Sequence, residues 1–316
     1  MTRSKRPLDG VLLFDKPLEL SSNSALQKVR RLFQAEKAGH TGTLDPLASG
    51  LLPVCFGEAT KFSAGLLDAD KTYRATLKLG QTTTTGDAEG EITSRRPVEI
   101  SRTQVEAALS HFLGESDQLP PMYSALKFQG KPLYEYIRNG ETIDRKTRRI
   151  TLHELKLEHF SGDELIFSVR CSKGTYVRTL AEDIGEHLGC GAHLTGLRRT
   201  AIAGFSLAQA HRLDELEQLS PAARDACLLP VDTLLPDYPI VDLTPEQVRL
   251  IGQGRALAVD CPLADGRVRL YAAGQFIGTG EHLTFPASAE RSAPLHLIKP
   301  LRLAARIALA SAQPAA

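Results

Sequence analysis

Residues 39–61, GHTGTLDPLASGLLPVCFGEATK, constrain this chain more than any other stretch. They set one carboxylate, Asp45, in a turn-rich loop with His40 upstream and a mostly apolar run behind it. Gly39 and Gly42 permit backbone angles that other residues resist, and Pro46 disfavours helical geometry at Asp45. A carboxylate held at a fixed angle beside an apolar wall suits a nucleophile or a general base. Asp-Pro by itself only opens a turn. The case for chemistry therefore rests on what surrounds it.

Upstream, VLLFDKP reads as a short strand ending in a turn, and SSNSALQKVRRLFQAE as a capped helix with Ala25, Val29 and Leu32 on one face. Downstream, residues 72–80 alternate toward a strand, and TTTTGDAEGEI reads as a polar, flexible connection. SRTQVEAALSHFLG is a helix with Ser101 or Thr103 near its start and Gly114 at its end. LHELKLEHFSGDELIFSVRCSKGTYVRTL predicts a hairpin running into a helix near Leu180. Strands and helices mix without regular βαβ repetition, which predicts an α+β fold with a mixed sheet. Four prolines between Pro230 and Pro245 mark a boundary region. Beyond them, short glycine-punctuated strands such as RVRLYAAG and QFIGTGEHL read as a small β domain, and SAQPAA as a frayed tail.

With 316 residues there is enough chain for two domains and a substantial core. No apolar run of about 18 residues and no signal-peptide pattern occurs, so a cytoplasmic protein is expected. The cysteines, Cys55, Cys171, Cys190, Cys227 and Cys261, are scattered, odd in number and without a CxxC pair, as reduced thiols would be. His187, Cys190 and His193 follow one another at a spacing that a helix could gather around a metal. Gly189 and Gly191 interrupt that helix, however, and no fourth ligand is evident. Neither a metal nor a cofactor is expected. The formal net charge is only +1. Yet Lys127, Lys131, Arg138, Arg145, Lys146, Arg148 and Arg149 crowd one segment, interleaved with Tyr123, Phe128, Tyr134 and Tyr136. That mixture suits RNA, with cations for phosphates and rings for bases.

Several long segments, in order, resemble the TruB-type pseudouridine synthases, which isomerise the uridine at position 55 of the tRNA T-loop. They are FDKPLELSSN, the 39–61 stretch, KTYRATLKLGQTTTTGDAEG, PPMYSALKFQGKPLYEYIRNG and CSKGTYVRTLAEDIGEHLGCGAHLTGLRRT. Together they cover most of residues 10–200. The resemblance implies a catalytic domain over 1–241 with a central mixed, largely antiparallel sheet flanked by helices and loops. It also implies an RNA-gripping insertion at about 120–150 and a PUA-like β-barrel domain over 242–316. It implies tRNA as partner through the T-stem-loop, with the acceptor stem reached by the C-terminal domain. A chain acting as a monomer and without a guide RNA is expected.

By this similarity Asp45 is the catalytic carboxylate, Tyr73 stacks on the flipped base and assists proton transfer, and Arg178 pairs with the aspartate. Tyr176 and Leu197 line the uracil pocket, His40 fills the space that the base vacates, and Lys16 supports the loop or contacts phosphate. Lys127, Lys131, Arg145, Lys146, Arg148 and Arg149 would follow the RNA backbone. Attack at C1′, addition at C6 and elimination through a glycal are each compatible with one aspartate. One departure is visible: Glu19 stands where the family prefers glycine, which questions the turn there. The competing readings are a guide-RNA-dependent synthase and a non-catalytic RNA-binding or RNA-remodelling protein with a structural Asp45.

Overall fold

Every one of the nine residues of Ala48–Phe56 is buried, so the apolar run behind Asp45 is a strand covered on both faces. Alternate side chains of a strand point to opposite faces. Leu52, Val54 and Phe56 accordingly join a cluster with Leu12, Phe14 and Val29, whereas Leu51 and Cys55 join Val11, Leu13, Phe62 and Leu66. The computed structural model describes residues 5–260, 263–287 and 293–304.

In chain order the strands are β1 (Gly10–Lys16), β2 (Ala38–His40), β3 (Ala48–Phe56), β4 (Lys71–Leu79), β5 (Gln81–Thr83), β6 (Ile92–Arg95) and β7 (Gly114–Gln118). Then come β8 (Lys127–Phe128), β9 (Lys131–Pro132), β10 (Arg148–Ser161), β11 (Glu164–Cys171), β12 (Ala192–Ile202), β13 (Phe205–Ser206) and β14 (His211–Arg212). The main sheet runs β14-β1-β3-β12-β4-β11-β10-β7, with β2 on β3 and β13 on β12. Only β1 with β14 and β3 with β12 are parallel; the other pairs are antiparallel. The α+β reading with a mixed, largely antiparallel sheet is what the chain adopts.

Helices pack on this sheet as their sequences dictate. Ser21 caps the helix Ser22–Leu32 by accepting from the Ser24 amide, and the helix buries Ala25, Leu26 and Val29. Ser101 and Gln104 form a reciprocal capping box at the start of Arg102–His111. Helix Val177–His187 buries Val177, Leu180, Ala181 and Ile184, within a cluster that also holds Ala75, Leu77, Phe167 and Val169 of β4 and β11. Truncating a fully buried residue such as Phe167 to alanine removes about 3–5 kcal/mol.

Two local expectations change. The TTTTGDAEG segment is not a loose connection: β5 and β6 pair across it, and Thr83 and Asp87 are buried. Its polarity serves internal bonds, with Thr85 Oγ1 donating to Asp87 Oδ1 at 2.5 Å. The Gly39 loop begins as a strand, since Ala38–His40 pairs antiparallel with β3.

A second sheet holds β15 (Ile240–Asp242), β16 (Leu257–Ala258), β17 (Gly266–Ala272), β18 (Gln275–Phe285) and β19 (Leu295–Leu303), in the order β15-β17-β18-β19-β16. Its core is Val241, Leu243, Ile251, Leu257, Val268, Leu270, Ile277 and Ile298. This small curled sheet fits the PUA-like expectation, and its first strand begins at Ile240. The proline-rich segment before it is tied down, with Arg269 donating to Asp232 at 3.2 Å. Phe276 meets Phe62, which packs on the main sheet with Val11 and Leu51, edge-on at 5.3 Å. Cys261 and the SAQPAA tail lie outside the described residues. Among those described, no helix is long and apolar enough to cross a membrane.

Glu19 adopts φ +66°, in the left-handed region. A residue with a Cβ pays roughly 1–2 kcal/mol there. The glycine that the resemblance implies at this place would avoid that cost, and glycine's extra freedom in the unfolded chain offsets part of the gain. Glu19→Gly should therefore leave stability unchanged or raise it by up to about 1 kcal/mol, whereas Glu19→Val should lower it. Thermal denaturation checks this; a clearly lower midpoint for Glu19→Gly would show that the left-handed turn is not strained.

Candidate active site

Asp45 is fixed through its backbone before its side chain is considered. Ser22 Oγ accepts from the Leu44 amide at 2.7 Å and donates to the Leu44 carbonyl at 2.9 Å. On the other side the Glu19 amide donates to Pro46 O at 3.0 Å. Beneath that loop the Lys16 ammonium donates to Pro17 O at 2.8 Å and Leu20 O at 2.6 Å. Lys16 thus braces the loop, and the loop braces the aspartate's turn.

The carboxylate itself meets Arg178, the second residue of helix Val177–His187, with Nη2 2.9 Å from Asp45 Oδ2. Arg178 is 7% exposed and Asp45 45%, so a buried cation presents a half-open anion. The same guanidinium lies 3.5 Å from Asp87 Oδ2 and donates to Thr85 O and Tyr123 O at 3.2 and 2.7 Å. Both terminal nitrogens of the planar fork are each shared between a carboxylate and a carbonyl, which a lysine could not match. One turn along the helix, the Glu182 carboxyl lies against Gly86, where an added Cβ would come within 2.8 Å of its Cδ. Burial pushes Glu182 up to about 7, helped by the neighbouring Asp183 and opposed by Arg178.

Asp45 opens onto a hollow of about 250 Å³ lined also by Tyr73, Tyr176, Arg178, Leu197 and Arg199. This is less than the roughly 300–1,000 Å³ of drug-sized sites and suits one flat ring. Tyr73 comes from β4 and Leu197 from β12, which pair in register. Tyr176 is clamped by Gln118, which accepts from its amide at 2.8 Å and donates to its carbonyl at 3.1 Å. Burial raises both phenols; Arg199 draws Tyr73 back down, and the nearby Ser124 does so for Tyr176. A second hollow of about 520 Å³, lined by His40, Asn23, Tyr123, Tyr134 and Arg138, shares Asp45 and Arg178 with the first. Asp45 therefore stands on the ridge between them. Burial, then Arg199, lowers His40 toward its neutral form, and its Nδ1 is buried without a hydrogen-bond partner.

The structure brings Asp45, Tyr73, Tyr176, Arg178 and Leu197 around one cavity and sets His40 behind it. Lys16 does not join them. It is fully buried, and both of its bonds go to carbonyls, so the loop-supporting role fits and phosphate contact does not. In the basic segment Lys127, Lys131, Lys146 and Arg148 are exposed. Arg145 instead donates to Pro120 O at 2.7 Å, and Arg149 faces Glu115 and Asp117 at 3.4 and 3.5 Å. These two are engaged within the protein, which weakens their assignment to RNA. His187 stacks on His111 at 4.5 Å, Cys190 lies in the core, and His193 faces Gln81 O at 3.1 Å, so the trio diverges. Sequence reasoning missed Asp87, Glu182, Gln118 and Arg199. Asp87 and Arg199 lie inside family-like segments, but nothing in their spacing announced burial.

The comparisons with known proteins now bear on this site. The TruB family pseudouridylate synthase N-terminal domain matches residues 30–177. The tRNA pseudouridylate synthase B C-terminal domain follows over 178–236, and the pseudouridine synthase II TruB C-terminal domain over 239–284. The chain belongs to the TruB family of pseudouridine synthases. The tRNA pseudouridine synthase B of Azoarcus sp. is 58% identical over 277 residues, 88% of this chain and 92% of that protein. The one from Methylobacillus flagellatus is 55% identical over 290 residues, 92% and 96% of the two chains. In fold, the chain is similar to one from an H/ACA RNP bound to a substrate RNA containing 2′-deoxyuridine, with TM-score 0.69 at 22% identity, covering 93% and 84%. The residues around the cavity all lie within the two TruB segments that span 30–236.

The raised Glu182 carboxyl makes a pH prediction for this TruB-family fold. Its folded value lies above the unfolded one, so its ionisation costs stability as pH rises from about 4.5 to about 7. Glu182→Gln should remove that decline, matching wild type near pH 4 and exceeding it at pH 8. Chemical denaturation at both pH values checks this; equal differences at the two would show that Glu182 ionises freely.

Proposed function

We propose that this chain isomerises uridine to pseudouridine at position 55 in the T-loop of tRNA. The observation that carries the reading is the half-open Asp45 carboxylate, paired at 2.9 Å with buried Arg178 at the mouth of a ring-sized cavity. The reaction breaks the bond from C1′ to N1, turns the base, and rejoins it through C5, without redox change or group donor. A base inside a folded T-loop must first be extruded, at a cost of a few kcal/mol. Stacking against Tyr73 and packing on Leu197 offset that cost, and His40 stands where an extruded base leaves space.

Each side chain then has a task. Arg178 aims Asp45, its buried guanidinium fixing one carboxylate oxygen at 2.9 Å and leaving the other for the substrate. Tyr73 and Tyr176, their phenols raised by burial, remain protonated at neutral pH and present O–H groups to the base. The exposed cations Lys127, Lys131, Lys146 and Arg148 follow the phosphates beside the exposed rings of Phe128 and Tyr134. Arg138 covers the Tyr134 ring at 5.5 Å. The reading divides the chain near Ile240 into a catalytic unit and a terminal unit that reaches the acceptor stem. It places a monomer in the cytoplasm, where tRNA is found.

Site-resolved pseudouridine mapping on a tRNA transcript, with EDTA present, tests the reading directly. Wild type should convert U55, and Asp45→Asn should abolish conversion while leaving tRNA affinity within about threefold. Loss of affinity together with activity would instead mark Asp45 as structural. Removing the charges of Lys127, Lys131 and Arg148 together should weaken binding and flatten the slope of log K against log salt, by up to about 0.9 for each phosphate no longer neutralised. An unchanged slope would place the RNA backbone elsewhere.

A further inference from the structure

Arg199 heads the fully buried side chains by volume, at 1% exposure, and it lines the cavity that holds Asp45. Its guanidinium is held by main-chain carbonyls: Nε donates to Leu51 O at 2.7 Å and Nη2 to Gly42 O at 3.3 Å. Among the described residues no carboxylate stands within ion-pairing distance of it. An arginine does not give up its proton in a protein, so the fold keeps an uncompensated positive charge against the site. Lys71, 8% exposed and also lining the cavity, is likewise held by carbonyls, Leu67 O at 2.7 Å and Ala69 O at 2.6 Å. Burying the Arg199 charge without a counter-charge opposes folding. A purely structural tie between β3, β12 and the Gly42 turn would not require a cation.

The β12–β4 register supplies the reason. Arg199 is directly opposite Tyr73 in an antiparallel pair, so the two side chains share a face of the sheet and reach the same cavity. The backbone around Arg199 is fixed as well. A Cβ on Gly50 would come within 2.3 Å of Arg199 O, so β3 and β12 approach as closely as glycine allows.

The proposed isomerisation creates a negative charge at this place. When the C1′–N1 bond breaks, its electron pair stays on the base, which becomes a uracil anion with charge shared over N1, O2 and O4. C5 then bonds to C1′, the C5 proton leaves to a base, and N1 takes up a proton, so the product is an isomer. We propose that Arg199 is a positioning residue for this reaction: it aims the Tyr73 hydroxyl at the base and holds a fixed positive charge behind it while the detached uracil turns. Fixed charge that needs no reorganisation is the most effective stabiliser of a transient anion. The inference rests on the isomerase reading above.

A double-mutant cycle tests it, with single-turnover pseudouridine formation and tRNA affinity measured for Arg199→Gln, Arg199→Lys, Tyr73→Phe and the combinations. Arg199→Gln should slow the chemical step by about 10²–10³-fold with affinity within about threefold, and Arg199→Lys should retain most of the rate. In the Tyr73→Phe background the same Arg199→Gln change should cost less than about tenfold. Ultraviolet titration, with Tyr73→Phe subtracted, should show Tyr73 ionising at higher pH in Arg199→Gln. Equal losses in both backgrounds, loss of affinity instead of rate, or an unmoved Tyr73 titration would overturn the assignment. If Arg199→Gln does not fold by circular dichroism, Arg199→Met, which removes the charge but keeps an unbranched chain, carries the cycle and the titration, and additivity there overturns it equally. A wild type that forms no pseudouridine would sink the isomerase reading instead, while the titration still decides whether Arg199 governs Tyr73.

Discussion

The site depends on one buried guanidinium. Arg178 gathers the aspartate turn, the hairpin that carries Thr85 and Asp87, and the segment that carries Tyr123, none of them adjacent in sequence. Removing one partner of a buried ion pair typically costs about 3–5 kcal/mol, because the remaining charge is stranded. Asp45, half in solvent, is the more weakly desolvated of the two carboxylates, and Asp87 the more firmly enclosed. The arginine is thus held by Asp87 and the carbonyls, and offered to Asp45.

That asymmetry leaves the Asp45 carboxylate ordered without smothering it. The turn bearing Asp45 is stitched by Ser22 and by the Glu19 amide, and the loop before them is held by the Lys16 ammonium. Freedom that substrate would otherwise have to remove on arrival has already been removed by folding. Part of the cost is visible locally, in the left-handed Glu19 and in three cations, Lys16, Lys71 and Arg199, held by carbonyls.

Much of this was legible in the sequence. Alternation and apolar runs located β1, β4, β10 and β11, serine caps located two helices, and the ordered motifs brought Asp45, Tyr73, Tyr176, Arg178 and Leu197 to one place. What stayed hidden depended on partners distant in the chain. Asp87 sits in a threonine- and glycine-rich run that resembles a solvated turn, and Arg178 and Leu194, both far along the chain, make it an interior residue. Lys16 carries a charge that a linear reading assigns to the surface, yet nearby carbonyls of its own loop fold over it. Arg149 belongs to a basic cluster by composition but faces acids of β7, the neighbouring strand, in space. The metal-like spacing of His187, Cys190 and His193 dissolves because Gly189 and Gly191 take positive φ and turn the chain between them.

Strand β3 has a further consequence. It starts just past the Asp45 turn, runs nine residues through the centre of the sheet, and leads directly into Lys61 and Phe62, which touch Leu303 and Phe276 of the second sheet. At about 3.3 Å per residue it spans roughly 30 Å, with both faces filled. The Asp45 turn and the contacts with the second sheet are therefore set apart by about the length of one strand.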